Sequence, residues 1–143
     1  MTALDHYRHF RAKLDFETDV SDVAAALDGG DPGFVLIDSR GEPAWAQGRI
    51  PGAIHLPTAS IAERAAVIVA AGTPVVTYCW GPGCNGATRA AVEFARLGYP
   101  VREMLGGFEY WVREGFAVAT DEGTRPGRPD SLTTVVSAIR CAC

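Results

Sequence analysis

Two cysteines, Cys79 and Cys84, lie in a segment rich in glycine, CWGPGCNGAT, that follows an apolar stretch at residues 74–78. That stretch contains two valines just after a Gly-Thr-Pro break, which predicts a buried strand. Cys79 would then stand at the carboxyl end of the strand, the edge of an open α/β sheet where ligands usually bind. A thiolate at such a position can act as a nucleophile, although a cysteine after a strand can also be only a small buried hydrophobe.

The loop after Cys79 is predicted to bind an anion. Glycines tolerate positive φ, so successive backbone N–H groups can turn inward, and the positive end of the following helix reinforces them. The same field is expected to lower the pKa of Cys79 and make it nucleophilic near neutral pH. Arg89, early in that helix, would add a cation. The loop residues assigned to this role, with Arg89, are Trp80, Gly81, Gly83, Cys84, Asn85 and Gly86.

Composition excludes several classes of protein. The chain has 143 residues, 48% hydrophobic and 21% charged, which is typical of a single globular domain. A net charge of −4 argues against binding to nucleic acid or to an anionic membrane. Residues 65–71, the longest apolar stretch, are too few to cross a bilayer, and residues 1–10 lack the apolar block of a secretion signal. These features predict a cytoplasmic protein.

The small number of cysteines favours a catalytic, redox or metal-binding role over structural disulfides. The four cysteines, Cys79, Cys84, Cys141 and Cys143, are sparse for a disulfide-rich secreted scaffold. In a reducing compartment they would serve catalysis, redox switching or metal binding. The spacings Cys-x₄-Cys and Cys-x-Cys differ from the zinc-ribbon pattern, so no metal site is predicted.

Helical and strand patterns alternate along the chain, which predicts an α/β fold. A helix is predicted within residues 1–17, and others at residues 22–27, 42–47, 61–70, 88–97 and 108–114. Strands are predicted at residues 34–37, 53–56, 74–78 and 101–105. The composition shifts to Gly, Pro, Arg and acidic residues over 121–129, which indicates a tail or arm. We therefore expect an N-terminal helical extension at 1–17, a domain at 18–120, and a tail or arm at 121–143 ending in Cys-x-Cys.

Three segments resemble the single-domain rhodanese-like sulfurtransferases. Residues 35–57, VLIDSRGEPAWAQGRIPGAIHLP, are similar to the family's Asp-x-Arg and Gly-His-Ile-Pro-Gly-Ala segment, with Arg49 in place of the histidine. Residues 75–91, VVTYCWGPGCNGATRAA, are similar to its active-site strand, loop and helix, and residues 105–116, LGGFEYWVREGF, to its closing element. The resemblance implies a rhodanese-like domain: a mainly parallel central sheet with helices on both faces.

The resemblance also implies an activity. Cys79 would take sulfane sulfur from thiosulfate or a similar donor as a persulfide and pass it to a cellular thiol, or to cyanide in an assay. Sulfur would be carried covalently, so no cofactor is expected. Asp38 and Arg40 would form a charge pair that supports the loops near the site.

The active-site loop is longer than the usual Cys-x-x-Gly-x-Arg of the family. Cys79 lies ten positions before Arg89, whereas Cys84 lies five positions before it. A minority of rhodanese-like proteins share the Cys-x-Gly-Pro-x-Cys loop with the first cysteine at the strand end, so Cys79 is favoured as nucleophile. Cys84 is an alternative nucleophile, an inert loop residue, or a resolving thiol that attacks the persulfide, releases sulfide and closes a disulfide.

Two other functions remain open. A phosphatase or arsenate reductase also uses a cysteine loop with a following arginine, but its usual Cys-x₅-Arg spacing fits neither cysteine. A non-catalytic rhodanese-like module would bind a partner or sense redox state through Cys79 and Cys84. Cys141 and Cys143 would relay sulfur or reduce the site if the tail folds back, or they belong to a disordered tail.

Overall fold

A five-stranded parallel sheet forms the centre of the protein in the computed structural model, which describes residues 1–134. The strand order is β1-β5-β4-β2-β3, and every neighbouring pair is parallel. The strands are β1 (Glu17–Asp19), β2 (Val35–Asp38), β3 (Ile54–His55), β4 (Val75–Tyr78) and β5 (Val101–Leu105). The predicted α/β fold with a parallel sheet is confirmed.

Helices cover both faces of this sheet. They are α1 (Ala3–Phe16), α2 (Val20–Asp28), α3 (Glu42–Gln47), α4 (Ile61–Ile68), α5 (Gly86–Arg96) and α6 (Gly107–Arg113). Successive side chains of a strand point to opposite faces. In β4, Val76 and Tyr78 therefore pack into one cluster with residues of α2 and α6, while Val75 packs into the other with residues of α4 and α5.

Some elements differ from the sequence-based expectation. Helix α5 begins two residues before the predicted residue 88, and α4 ends at Ile68 rather than at residue 70. Strand β1 was not predicted, because Glu17–Asp19 carries no apolar residue; it exists through its backbone pairing with β5. None of the helices within residues 1–134 is long and apolar enough to span a membrane.

A second, two-stranded sheet lies across the predicted end of the domain at residue 120. Its antiparallel strands are β6 (Val118–Thr120) and β7 (Gly123–Arg125). Further along, Asp130 forms an ion pair of 2.9 Å with Arg113, and the Thr134 hydroxyl donates a 2.8 Å hydrogen bond to the Arg113 carbonyl. These contacts bring residues 130–134 to the end of α6. The domain boundaries remain predictions, and Cys141 and Cys143 lie outside the described residues.

Candidate active site

The end of β4 and the start of α6 hold Cys79 between them. The Cys79 carbonyl accepts a 2.9 Å hydrogen bond from the Phe108 amide, and the Trp80 carbonyl accepts one of 2.7 Å from the Glu109 amide. Gly107 makes this approach possible: its φ is +62°, and a Cβ there would lie 2.7 Å from the Cys79 carbonyl oxygen. Gly107, the second glycine of the segment LGGFEYWVREGF, therefore has a specific role, since only glycine leaves room for the loop after β4.

The two loop thiols lie in contact. The Cys79 Sγ is 2.9 Å from the Cys84 Sγ. Cys79 is 8% exposed, whereas Cys84 is exposed. The Cys84 amide donates a 3.0 Å hydrogen bond to the Gly81 carbonyl, which closes a turn and returns the chain to Cys79. Both cysteines line a cavity of about 660 Å³, so a small anion entering it would meet two sulfur atoms.

Burial sets the protonation of Cys79. The pKa of the Cys79 thiol is raised to about 11, first by burial and then by the hydrogen bond with Cys84, while the Trp80 amide and the Arg40 charge act in the opposite direction. The prediction of a lowered pKa for Cys79 is therefore wrong. The cost of removing the Cys79 thiolate from water therefore outweighs the stabilisation by the Trp80 amide and the Arg40 charge.

The stabilising field acts on Cys84 instead. The pKa of Cys84 is lowered mainly by its hydrogen bond with Cys79. Burial, the next largest effect, raises it, but the backbone amides of Gly86 and Trp80 and the charge of Arg89 lower it as well, so the net direction is down. The Gly86 amide, at the start of α5, donates to the Cys84 Sγ at 3.3 Å. The amide geometry expected around Cys79 is thus found at the neighbouring thiol.

The predicted anion-binding residues divide into two groups. Gly81, Gly83, Cys84 and Asn85 line the 660 Å³ cavity together with Cys79. Trp80 instead lines an adjacent pocket of about 630 Å³, which also contains Gly81, Gly83 and Cys84. The loop between the two cysteines therefore separates two depressions, and Cys84 borders both.

Gly86 and Arg89 belong to helix α5, which follows this loop. A Cβ at Gly86 would run into the Cys79 Sγ, so the start of α5 is pressed against the thiol. The Arg89 side chain donates a 3.0 Å hydrogen bond to the Asn85 side-chain oxygen. Sequence reasoning missed Glu103, a carboxylate on β5 that lines the cavity and accepts a 2.6 Å hydrogen bond from Thr88. Only the pairing of β4 with β5 brings it there, so no local motif could have found it.

A buried ion pair between Asp38 and Arg40 contacts Tyr78, the residue that precedes Cys79. Arg40 Nη2 is 2.6 Å from Asp38 Oδ2, and both side chains are almost completely buried. The Tyr78 hydroxyl donates a 2.6 Å hydrogen bond to the same carboxylate oxygen and accepts one of 3.2 Å from the Ile50 amide. Burial, with the charge of Asp38, raises the pKa of Tyr78, so its hydroxyl remains a neutral donor. The network ties β2 to β4 one residue before Cys79.

The Arg40 guanidinium also packs against two aromatic rings at the site, those of Trp80 and Phe108. Its central carbon lies 4.6 Å from the Trp80 ring centre and 4.4 Å from that of Phe108, within cation–π range. Burial alone would lower the pKa of Arg40, but the hydrogen bonds and charge of Asp38 outweigh it and raise the pKa. Arg40 therefore places a permanent positive charge below Trp80 and Cys79. Within residues 1–134 no cluster of three or more metal-ligating side chains occurs.

Comparison with known proteins decides the family. The model of the rhodanese-like domain matches residues 19–114, which contain β2, β4 and the loop between Cys79 and Cys84. The chain belongs to the rhodanese-like domain family. The family expected from the sequence is confirmed, and this rhodanese-like domain contains the whole thiol site described above.

Several known proteins are similar to this rhodanese-like protein. The thiosulfate sulfurtransferase GlpE of Pseudomonas fluorescens is 37% identical over 82 residues, 55% of this chain and 71% of GlpE. An HTH-type transcriptional regulator of Mycobacterium tuberculosis is 36% identical over 96 residues, 66% of this chain; the chain matches only 41% of that regulator's length. The crystal structure of a Bacillus halodurans protein has a TM-score of 0.77 and 38% identity, covering 85% of this chain and 89% of that chain.

Proposed function

We propose that the protein is a sulfurtransferase that moves sulfane sulfur from thiosulfate or a similar donor to a thiophilic acceptor through a persulfide on Cys79. The observation that carries this proposal is the position of Cys79, at the end of β4, on the wall of the 660 Å³ cavity and against the start of α5. Membership of the rhodanese-like family and 37% identity to a thiosulfate sulfurtransferase support it.

Cys84 supplies the base that activates Cys79. At 2.9 Å the Cys79 thiol can donate its proton to the Cys84 thiolate, so a high pKa in the resting site does not prevent attack. The freed Cys79 sulfur attacks the outer sulfur of thiosulfate, the S–S bond of thiosulfate breaks, and sulfite leaves with the electron pair. The acceptor then attacks the outer sulfur of the persulfide, and Cys79 leaves as a thiolate that recovers its proton from Cys84.

The loop amides and two cations would bind the sulfonate of the donor. The amides of Cys84 and Gly86 already donate to Gly81 and to the Cys84 sulfur, so Gly81, Gly83 and Asn85 are the proposed amide donors. The positive charges of Arg40 and Arg89 lower the pKa of Cys79 and Cys84 respectively, and the same charges would attract the anionic donor. Asp38 is proposed to support this arrangement through Arg40.

A second candidate is a non-catalytic rhodanese-like module that senses redox state or binds a partner. The contact of the two sulfur atoms and the raised pKa of Cys79 favour it, because both would suit a thiol pair that closes reversibly. The similarity to part of a transcriptional regulator is compatible with such a role. In either case a reducing, cytoplasmic location is proposed, since the site needs free thiols at rest.

Intact-mass measurement with thiosulfate tests the proposal. The background is the full chain with Cys141→Ser and Cys143→Ser, so that only the loop thiols can react. At alkaline pH we expect the Cys84→Ala variant to gain one sulfur atom and the Cys79→Ala variant to gain none. The mirror result would move the nucleophile to Cys84. If neither variant gains sulfur, sulfurtransferase chemistry is excluded, and a disulfide formed only with an added oxidant supports the redox module.

A further inference from the structure

The two loop thiols differ in how firmly they are held. Cys79 follows β4 directly, its carbonyl accepts a hydrogen bond from α6, and Gly86 of α5 abuts its sulfur. Cys84 lies in an irregular turn, and its side chain is exposed. Their sulfur atoms are 2.9 Å apart, and a disulfide needs about 2.05 Å. A small movement of Cys84 toward a fixed Cys79 is therefore enough to join them.

We propose that Cys84 resolves the Cys79 persulfide, so that the domain releases sulfide and ends each sulfur-loading step as a Cys79–Cys84 disulfide, which a dithiol reductant reopens. This inference rests on the persulfide of the proposed function. It replaces the external acceptor of the proposed function with Cys84, which acts after it has accepted the Cys79 proton, and it assigns the final electron donor to the chemical class of dithiols.

The step balances without an external oxidant. Cys84, which took the Cys79 proton during loading, first loses that proton to solvent. The Cys84 thiolate then attacks the Sγ of Cys79, a Cys79–Cys84 bond forms, and the bond between that Sγ and the outer persulfide sulfur breaks. The outer sulfur leaves with the electron pair as hydrosulfide. Over loading and resolution, thiosulfate and two thiols become sulfite, hydrosulfide and one disulfide, so the sulfane sulfur is reduced while the two cysteines are oxidised.

Position favours this internal attack over an external acceptor. The two sulfur atoms are already closer than the separation of about 3–3.5 Å that characterises a near-attack arrangement. Cys84 also borders both depressions beside the loop, whereas Cys79 lines only the 660 Å³ cavity. The backbone amides of Gly86 and Trp80 and the charge of Arg89 lower the pKa of Cys84 independently of the Cys79 thiol, so they favour its thiolate during resolution as well.

The reductant has access to one sulfur of the disulfide. Cys84 is exposed and Cys79 buried, so attack by a dithiol falls on Cys84 and frees Cys79 for the next cycle. The pocket beside Cys84 is walled by Trp80, Phe108 and Val112, with Glu109 and Arg113 at its border. An apolar wall with a charged edge suits a dithiol carried on a short apolar arm or on a protein surface.

A single-turnover experiment tests the inference. The full chain with Cys141→Ser and Cys143→Ser is reduced, freed of reductant under anaerobic conditions, and mixed with excess thiosulfate; intact mass and released sulfide are measured together. We expect loss of two hydrogens and release of about one sulfide per chain. The matched Cys84→Ser variant lacks the proposed base and is therefore loaded at alkaline pH; it keeps the added sulfur and releases no sulfide. The same incubation without thiosulfate leaves the mass of both proteins unchanged.

Each failure has its own signature. If the background protein keeps one added sulfur and releases no sulfide, the inference is overturned while the persulfide of Cys79 stands. If Cys84→Ser gains no sulfur even after long incubation at alkaline pH, the proposed function itself fails. A disulfide that forms without sulfide release would also overturn resolution by Cys84.

Discussion

The Tyr78 hydroxyl donates a 2.6 Å hydrogen bond to Asp38, its partner in the register of β4 and β2. Asp38 in turn binds Arg40, whose guanidinium lies under Trp80. The residue that precedes Cys79 is thus tied to a buried charge pair, and through it to the aromatic residue that follows Cys79. The position of Cys79 is therefore held through the residue before it, Tyr78, and through the residue after it, Trp80.

Breaking this pair is expected to destabilise the fold strongly. Asp38→Asn leaves the Arg40 charge buried without its partner, and we expect a loss of about 3–5 kcal/mol in the free energy of unfolding. Asp15→Asn is the matched control, because Asp15 pairs with Arg11 on the exposed surface of α1 and its loss should cost less than about 1 kcal/mol. Urea unfolding measures both, and equal losses would contradict the argument.

Gly86 is expected to be essential for sulfur loading. In Gly86→Ala the new methyl group collides with the Cys79 sulfur and comes within 3.2 Å of the Cys84 sulfur, so the two thiols cannot keep their present positions. We expect at least about a tenfold slower gain of sulfur from thiosulfate, equivalent to about 1.4 kcal/mol. Gly29→Ala, at the end of α2 and outside the site, is the control, since the nearest contact of a Cβ there would be an ordinary one of 3.4 Å with the Ala26 carbonyl oxygen. Equal loading rates in the two variants would show that the contact is unimportant.

Gly107→Ala is expected to destabilise the fold for two reasons: alanine rarely adopts the backbone conformation at this position, and its Cβ would clash with neighbouring atoms. Gly107→Ala combines a positive φ of +62° with a Cβ 2.7 Å from the Gly81 amide nitrogen. Gly98→Ala has a similar φ of +87° but open space around the Cβ, so it isolates the conformational cost of about 1–2 kcal/mol. Overpacking should cost Gly107→Ala about 1–3 kcal/mol more in thermal or urea unfolding. No difference between them would mean that the loop relaxes freely.

The reactivity of the two thiols should separate with pH. The Cys79 thiolate forms only as pH rises toward its pKa of about 11, whereas the Cys84 thiolate forms below the ordinary pKa of cysteine. In Cys84→Ala, Cys79 loses a hydrogen bond and a charge that both raise its pKa, so its alkylation midpoint should move to lower pH.

The reverse shift provides the check on that prediction. In Cys79→Ala, Cys84 loses the hydrogen bond that most lowers its pKa, so its alkylation midpoint should move to higher pH. Rates of iodoacetamide addition, followed by mass across a pH series in the Cys141→Ser, Cys143→Ser background, give both midpoints. Shifts in the opposite directions would mean that the two thiols do not share a proton.

Local patterns in the sequence predicted much of the fold. The apolar residues of β2 and β4 and the glycine-rich loop after Cys79 are contiguous signals, and they led to the parallel sheet and to the rhodanese-like family. Strand β1 and the pair β6–β7 were missed, because these three-residue segments lack an alternating apolar pattern. Strand β1 exists through its pairing with the distant β5, and β6 and β7 through a short antiparallel pairing with each other.

The sequence by itself therefore determined the family, the α/β architecture and the position of Cys79 after a buried strand, since each follows from residue types close together in the chain. The tertiary structure alone decided that Cys84 touches Cys79 and that Cys79 has the higher pKa. The physical reason is that a pKa depends on burial and on distances between side chains, and both arise only when the loop folds against α5 and α6.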